Sequence, residues 1–281
     1  LHPDCITTFV VDRNINYTNV CWVDCKFCAF YRHGKDEDAY VLSFEEIDQK
    51  IEELLEIGGT QILFQGGVHP KLKIEWYEEL VEHIHTKYPQ ITIHGFSAIE
   101  LDFIAKVSHI SIQECLVRLK AKGLSSIPGA GAEILSDRVR DIIAPKKIDT
   151  EVWLDVHRQA HRLGIKSTAT MMYGHIEQAR HQAHHLLAIR DLQRRHHGFT
   201  EFVPLPFVAG EAPMYLRGRA RRGPTFREAV LLHAVARIAL YPDVPSIQAS
   251  WVKMGAEGVT ACLHAGANDV GGTLMNESIS R

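Results

Sequence analysis

The sequence predicts an α/β protein of the (β/α)8 TIM-barrel type. Short apolar runs alternate with amphipathic segments along the whole chain, as repeated βα units require, and eight of these runs read as strands. The residues best suited to chemistry follow the runs directly, where a barrel carries its site. No G-x-G-x-x-G follows the first run, which disfavours the alternative, a doubly wound open sheet.

The elements follow in order. Thr7 to Asn16 is the first strand. The next helix starts at an S-x-x-E capping box, Ser43 to Glu46, and stops at Gly58 and Gly59. Thr60 to Gln65 is strand two, "IEWYEELVEHIHTKY" a helix, and Ile91 to Phe96 strand three. Helical stretches over 98–107 and 111–122 lead to a short strand, Ser125 to Ile127. Helices over 136–143 and 149–163 precede the strand Ser167 to Tyr173. A helix over 178–195 precedes "FTEFVPLPF", one over 224–240 precedes "SIQASW", and one over 255–264 reaches "GANDVGGT".

Composition narrows the function. With 281 residues and 46% hydrophobic content, the whole chain, 1–281, reads as a single domain. A net charge of −3 argues against a nucleic-acid or membrane surface, and no apolar run approaches a membrane span. The first residues lack the pattern of a signal peptide, so the expected location is cytoplasmic, where thiols stay reduced.

Six cysteines are present, and Cys21, Cys25 and Cys28 fall within eight positions as C-x3-C-x2-C, whereas Cys5, Cys115 and Cys262 stand alone. The spacing i, i+4, i+7 suits one face of a helix, so three buried structural thiols are one reading. A zinc site completed by His33 or His69, as in a zinc-dependent barrel hydrolase, is another. A third is a [4Fe–4S] cube held through three irons with the fourth iron open to a ligand.

The C-x3-C-x-aromatic-C pattern, with Phe27 as the aromatic, resembles the signature of radical S-adenosylmethionine (SAM) enzymes. The flanking "DRNINYTNVCWVDCKFCAFYR" is similar to the group that makes menaquinone precursors from futalosine derivatives and the deazaflavin (FO) chromophore. The resemblance implies a radical SAM barrel with a [4Fe–4S] cluster on Cys21, Cys25 and Cys28. It implies SAM chelated on the open iron and a 5′-deoxyadenosyl radical that takes hydrogen from a small nucleoside-like substrate. It also implies an electron donor such as flavodoxin or ferredoxin, with no nucleic-acid or membrane partner. By the same resemblance Gly66 and Gly67, in "QGGVHP", let the backbone approach the amino group of SAM; a plain tight turn is the alternative.

Other positions carry two readings each. His69 and His94 are candidate acid–base or substrate groups, or hydrogen-bonded structural histidines. Ser97 meets cofactor or caps the next helix. Glu133, in "IPGAGAEIL", binds a ribose hydroxyl or substrate, or is a helix-start acid. Glu201 lies inside an apolar strand and is either an inward carboxylate or an exposed one. His69, His94 and Glu201 are the candidates for a catalytic base. Tyr173 and His175 close the fifth strand, and Asn268 and Asp269 face the site or form an Asx turn. The basic run 217–226 reads as a surface loop, with Pro224 opening the next helix.

The resemblance is uneven. Residues 7–174 are similar to the futalosine cyclase ("GGTQILFQGGVHPKLKIEWYEELV", "IHGFSAIE", "TATMMYG"), and 175–281 to the tyrosine-adding FO synthase subunit ("GFTEFVPLPF", "GANDVGGTLMNESISR"). This puts a seam near 174–178. The longer part implies cyclisation of dehypoxanthinyl futalosine as the activity, with addition of a tyrosine-derived fragment to 5-amino-6-ribitylamino-uracil as the alternative. Both families also imply further helical residues before Leu1 and after Arg281.

Overall fold

The computed structural model describes residues 6–275. Its strands are β1 (Thr8–Val10), β2 (Asp12–Asn16), β3 (Gln61–Gln65), β4 (Thr92–Gly95), β5 (Ser126–Ile127), β6 (Lys166–Tyr173), β7 (Phe199–Pro206), β8 (Ser246–Ile247) and β9 (Asp269–Gly272). The helices are α1 (Phe44–Glu56), α2 (Ile74–Lys87), α3 (Ala98–Ser108), α4 (Ile112–Lys122), α5 (Asp137–Ile143), α6 (Thr150–Arg162), α7 (Ala179–His196), α8 (Pro213–Leu216), α9 (Phe226–Leu240) and α10 (Trp251–His264). Strands β2 to β8 form one parallel seven-stranded sheet in chain order, and β1 pairs with β9. This is the barrel-type α/β fold the sequence predicts.

The sheet is carried round by residues 268–275, which bond on both sides. Asn268 N–H donates to the Ile247 carbonyl (3.0 Å), Ala249 N–H to the Asp269 carbonyl (2.8 Å), and Asn14 N–H to the Met275 carbonyl (3.2 Å). Buried Arg237 on α9 fixes the join: Nη2 donates to Asn268 Oδ1 (2.6 Å), Nε to the Gly266 carbonyl and Nη1 to the Pro245 carbonyl. Asn268 is therefore a structural residue and not a site group.

Alternation along the strands decides what faces inward. On β3, Ile62 and Phe64 are fully buried under the helices, while Gln61, Leu63 and Gln65 line the interior. On β6, Ala169 and Met171 are buried outward, and Thr168, Thr170 and Met172 point in. A TIM-barrel interior is normally filled by branched apolar side chains. This interior instead mixes polar and apolar side chains and surrounds a cavity of about 780 Å³.

Several boundaries differ from the sequence reading. The first strand divides at Val11 because its two parts pair with different neighbours, β9 and β3. Thr225, not Pro224, opens α9, its hydroxyl accepting from Glu228 N–H (3.2 Å). Helix α10 begins at Trp251 and kinks at Gly255, where φ is 65°. Cys115 and Cys262 are buried, free thiols, and Cys5 lies outside the described residues. No helix among the described residues is long and apolar enough to cross a membrane.

Gly129 joins β5 to β6 by bare backbone. Its N–H donates to Thr168 Oγ1 (2.9 Å), its carbonyl accepts from Thr170 Oγ1 (2.7 Å), and an added Cβ would lie 2.5 Å from Ala169 Cα and the Thr168 carbonyl oxygen. Gly129→Ala is therefore expected to lower stability by about 2–3 kcal/mol, the cost of forcing volume into packed backbone. Chemical denaturation measures this; a midpoint equal to the wild type would contradict the packing.

Candidate active site

The cavity opens at the carboxyl ends of the strands and reaches into the barrel. Cys21, Cys25 and Cys28 line it together with Phe27, Gly66, Gly67, His94, Ser97, Glu133 and Glu201. Ten of the eleven site residues expected from the sequence thus line one cavity. Its volume, about 780 Å³, lies in the range of small-molecule sites.

The cysteines lie on a loop after β2 and not on a helix, so the reading of three thiols on a helix face fails. Main-chain hydrogen bonds hold this loop from three directions. Cys21 N–H donates to the Arg32 carbonyl (2.9 Å), Trp22 N–H to the Val68 carbonyl (3.1 Å) and Lys26 N–H to the Ile143 carbonyl (2.8 Å). Asp24 turns the loop at a φ of 45°, a conformation Asp tolerates, and Lys146 Nζ bonds its carboxylate at 2.8 Å. Burial pushes the Cys25 thiol up to about 12, with nearby Lys147 opposing the shift; burial also raises Cys28. Metal binding here must displace protons.

Lys147 is the residue the sequence reading missed. It follows Pro145 and Lys146 and reads as a solvated lysine, yet its side chain is only 11% exposed. It pairs with Glu133 and lies 5.3 Å above the Phe27 ring. Arg140 makes the pair possible: its guanidinium donates to the carbonyls of Gly131 (3.2 Å), Ala132 and Ile148, tying the two segments together. Burial would raise the Glu133 carboxyl, but Lys147 holds it below the ordinary range. Burial likewise disfavours the Lys147 charge, and Glu133 outweighs it.

Glu100 organises the glycine pair. Its Oε1 accepts from Gly66 N–H (3.0 Å) and Tyr17 OH (2.6 Å), and its Oε2 from Ser97 N–H (2.8 Å) and the Ser97 hydroxyl. Ser97 thus caps α3 and lines the cavity at once. A Cβ at Gly66 would lie 2.6 Å from the Tyr17 ring. One at Gly67 would lie 2.3 Å from the Val20 carbonyl oxygen and 3.0 Å from Cys21 Cβ, so Gly67 packs against the cysteine loop itself.

The three expected bases separate. His69 does not line the cavity; its Nδ1 accepts from Lys71 N–H (3.2 Å), a local turn contact. His94 lines the wall, bonds Ser126 Oγ at 2.7 Å, and burial pushes it down to about 4, so it is neutral. Glu201 points inward. Burial, then the Asp269 carboxylate, raise it well above the ordinary range, so it is a neutral acid and a poor base. Tyr173 is buried outside the cavity, and His175, bonded to the Met172 carbonyl (3.1 Å), lies beside the basic run at a separate surface hollow. Among the described residues no three His, Cys, Asp or Glu side chains meet around a single-ion position. A tetrahedral zinc site needs thiolate sulfurs roughly 4 Å apart, whereas a cube spreads its ligands more widely. His33 and His69, offered to complete a zinc set, are both outside the cavity.

Comparison with known proteins agrees with this architecture. Residues 15–188 match the radical SAM superfamily, and 196–281 match the CofH/MqnC C-terminal region. The 5-amino-6-(D-ribitylamino)uracil–L-tyrosine 4-hydroxyphenyl transferase of Methanopyrus kandleri is 48% identical over 274 residues, 98% of this chain and 74% of that protein. The Methanocaldococcus jannaschii protein of the same name is 47% identical, over 98% and 78%. FO synthase of Mycobacterium leprae is 47% identical, and this chain spans 32% of its length. Similarity to such relatives runs across residues 174–178, and the expected likeness of residues 7–174 to the futalosine cyclase finds no support. The fold matches methylornithine synthase (TM-score 0.72, 16% identity, 99% of this chain and 75% of that one). It also matches the hydrogenase maturase HydG of Carboxydothermus hydrogenoformans (TM-score 0.72, 16% identity, 94% and 58%). With its family signature carried by a cysteine loop on the wall of a barrel cavity, the chain belongs to the radical SAM superfamily, whose enzymes use a [4Fe–4S] cluster and S-adenosylmethionine.

Proposed function

We propose that this chain is a radical SAM transferase that joins a tyrosine-derived fragment to 5-amino-6-ribitylamino-uracil by carbon–carbon bond formation. What carries the reading is identity of 47–48% to transferases of that name, over 98% of the chain. It replaces cyclisation of dehypoxanthinyl futalosine as the activity and takes residues 1–281 as one barrel domain.

The donor set fits the cofactors. Cys21, Cys25 and Cys28 lie on one loop with their side chains on one cavity, and Lys147 beside them supplies a positive charge against the thiolates. When bound, the cluster and SAM supply a 5′-deoxyadenosyl radical. The chain does the rest. Cys21, Cys25 and Cys28 hold the cluster. Gly66 and Gly67 present bare backbone to SAM, and Ser97 and Glu133 offer it polar contacts. Phe27, under Lys147, shields the loop from water. Of the three expected bases, His94 alone is both unprotonated and on the cavity wall, although burial disfavours its protonated form.

Anaerobic reconstitution is expected to give a brown, air-sensitive protein with roughly four irons per chain, lost when any of Cys21, Cys25 or Cys28 becomes Ala. A colourless protein with one zinc would overturn the assignment. Incubated with SAM, reductant, tyrosine and 5-amino-6-ribitylamino-uracil, the reconstituted protein should yield the uracil adduct by mass spectrometry. The spirocyclic product from dehypoxanthinyl futalosine, without adduct, would reverse the substrate reading.

Gly67→Val is expected to lower iron content as well as SAM affinity, because its side chain would collide with Val20 and Cys21. Normal iron loading with only SAM affinity reduced would show that Gly67 serves the cofactor approach alone.

A further inference from the structure

Two hydrogen-bond acceptors in the cavity wall have no partner among the described residues. Asn14 Oδ1 on β2 and Glu201 Oε1 on β7 are both shielded from solvent and unpaired, on residues that line the cavity. Buried acceptors are rarely left open, and each calls for an explanation.

Glu201 is the more informative. Its carboxyl group faces Asp269 and the Gln248 side chain. Both Asp269 oxygens are already engaged: the Thr8 hydroxyl donates to Oδ2 and Gly271 N–H to Oδ1. Two carboxyl groups this close cannot both ionise. Asp269 beside it keeps the Glu201 carboxyl group protonated, and Oε1 is the oxygen left without a hydrogen-bond partner, on a residue that lines the cavity. Such a group suits an uncharged N–H or O–H donor.

We propose that Glu201, backed by Asp269, is a substrate-binding residue whose Oε1 accepts a hydrogen bond from an uncharged N–H or O–H donor of the ligand, with Asn14 Oδ1 accepting a second. The inference rests on the transferase reading, under which the ligand is 5-amino-6-ribitylamino-uracil. That molecule presents donors of both kinds, amine N–H on the ring and hydroxyls on the ribityl chain.

The test is anaerobic calorimetry of this uracil on reconstituted wild type, Glu201→Gln and Glu201→Leu. Gln keeps an acceptor oxygen and donates to Asp269 as the neutral acid does, so it should bind within about threefold of wild type. Leu removes the acceptor and should weaken binding roughly tenfold or more. Leu binding as tightly as wild type, or Gln falling as far as Leu, overturns the proposal while leaving the transferase reading intact. No binding by wild type overturns both. Two analogues identify the donor: one without the 5-amino group, one without the ribityl chain. The analogue that lacks the donor should lose about tenfold on wild type and show no further loss in Leu. Iron content and melting temperature report folding of each variant. Should the Leu variant not fold, equal affinity of wild type for the uracil and both analogues overturns the proposal, and a tenfold loss for one supports it.

Discussion

A methyl group at residue 67 would lie 2.3 Å from the Val20 carbonyl oxygen, so the end of β3 and the cysteine loop meet through bare backbone. The rest of the site is arranged around that contact. Gly67 N–H donates to the Thr18 carbonyl at 2.7 Å, and Trp22 N–H donates to Val68 just beyond it. Two segments far apart in sequence are thereby held in register within one cavity wall. On the other side, residues 143–147 meet the same loop through Ile143, Lys146 and Lys147. The loop is fixed from both flanks by the barrel and does not depend on its own local propensity.

The open interior follows from the same purpose. A barrel filled with branched apolar side chains would be the more stable solution. Here Asp12, Asn14, Gln61, Thr168 and Glu201 point inward and leave space. The stabilisation comes from outside the strands, where Ile62, Phe64, Ala169 and Met171 are covered by helices, and from Arg237 at the join between β8 and β9. Buried charge is tolerated only where it is paired, as Lys147 with Glu133, or neutralised, as in Glu201 against Asp269.

The alternation of runs made the barrel legible, because a period of two on one face and helical spacing between strands are properties of short segments. The three cysteines were legible for the same reason: their spacing is local. The separation of His69 from His94 was not, since both lie at or just beyond strand ends and only the turn at Lys71 decides that His69 is spent on its own backbone. Lys147 was invisible because its burial depends on Arg140 drawing residues 131–132 and 148 together, contacts across an irregular loop that neither helical nor strand periodicity encodes. The direction of Glu201 was undecided by pattern, because both faces of β7 carry apolar neighbours. The likeness to the futalosine cyclase was misread for another reason: stretches shared by sibling families describe the common radical machinery and say little about what the pocket holds.

On this view the barrel prebuilds the cysteine loop through main-chain hydrogen bonds before any iron arrives. Hydrogen exchange on the iron-free protein tests it most directly. The amides of Cys21, Trp22, Lys26 and Gly67 should exchange slowly, protected to a degree comparable with the neighbouring strand β3. Exchange of these amides at the rate of an unstructured chain, with protection gained only on iron loading, would contradict the account and make the metal the organiser of the loop.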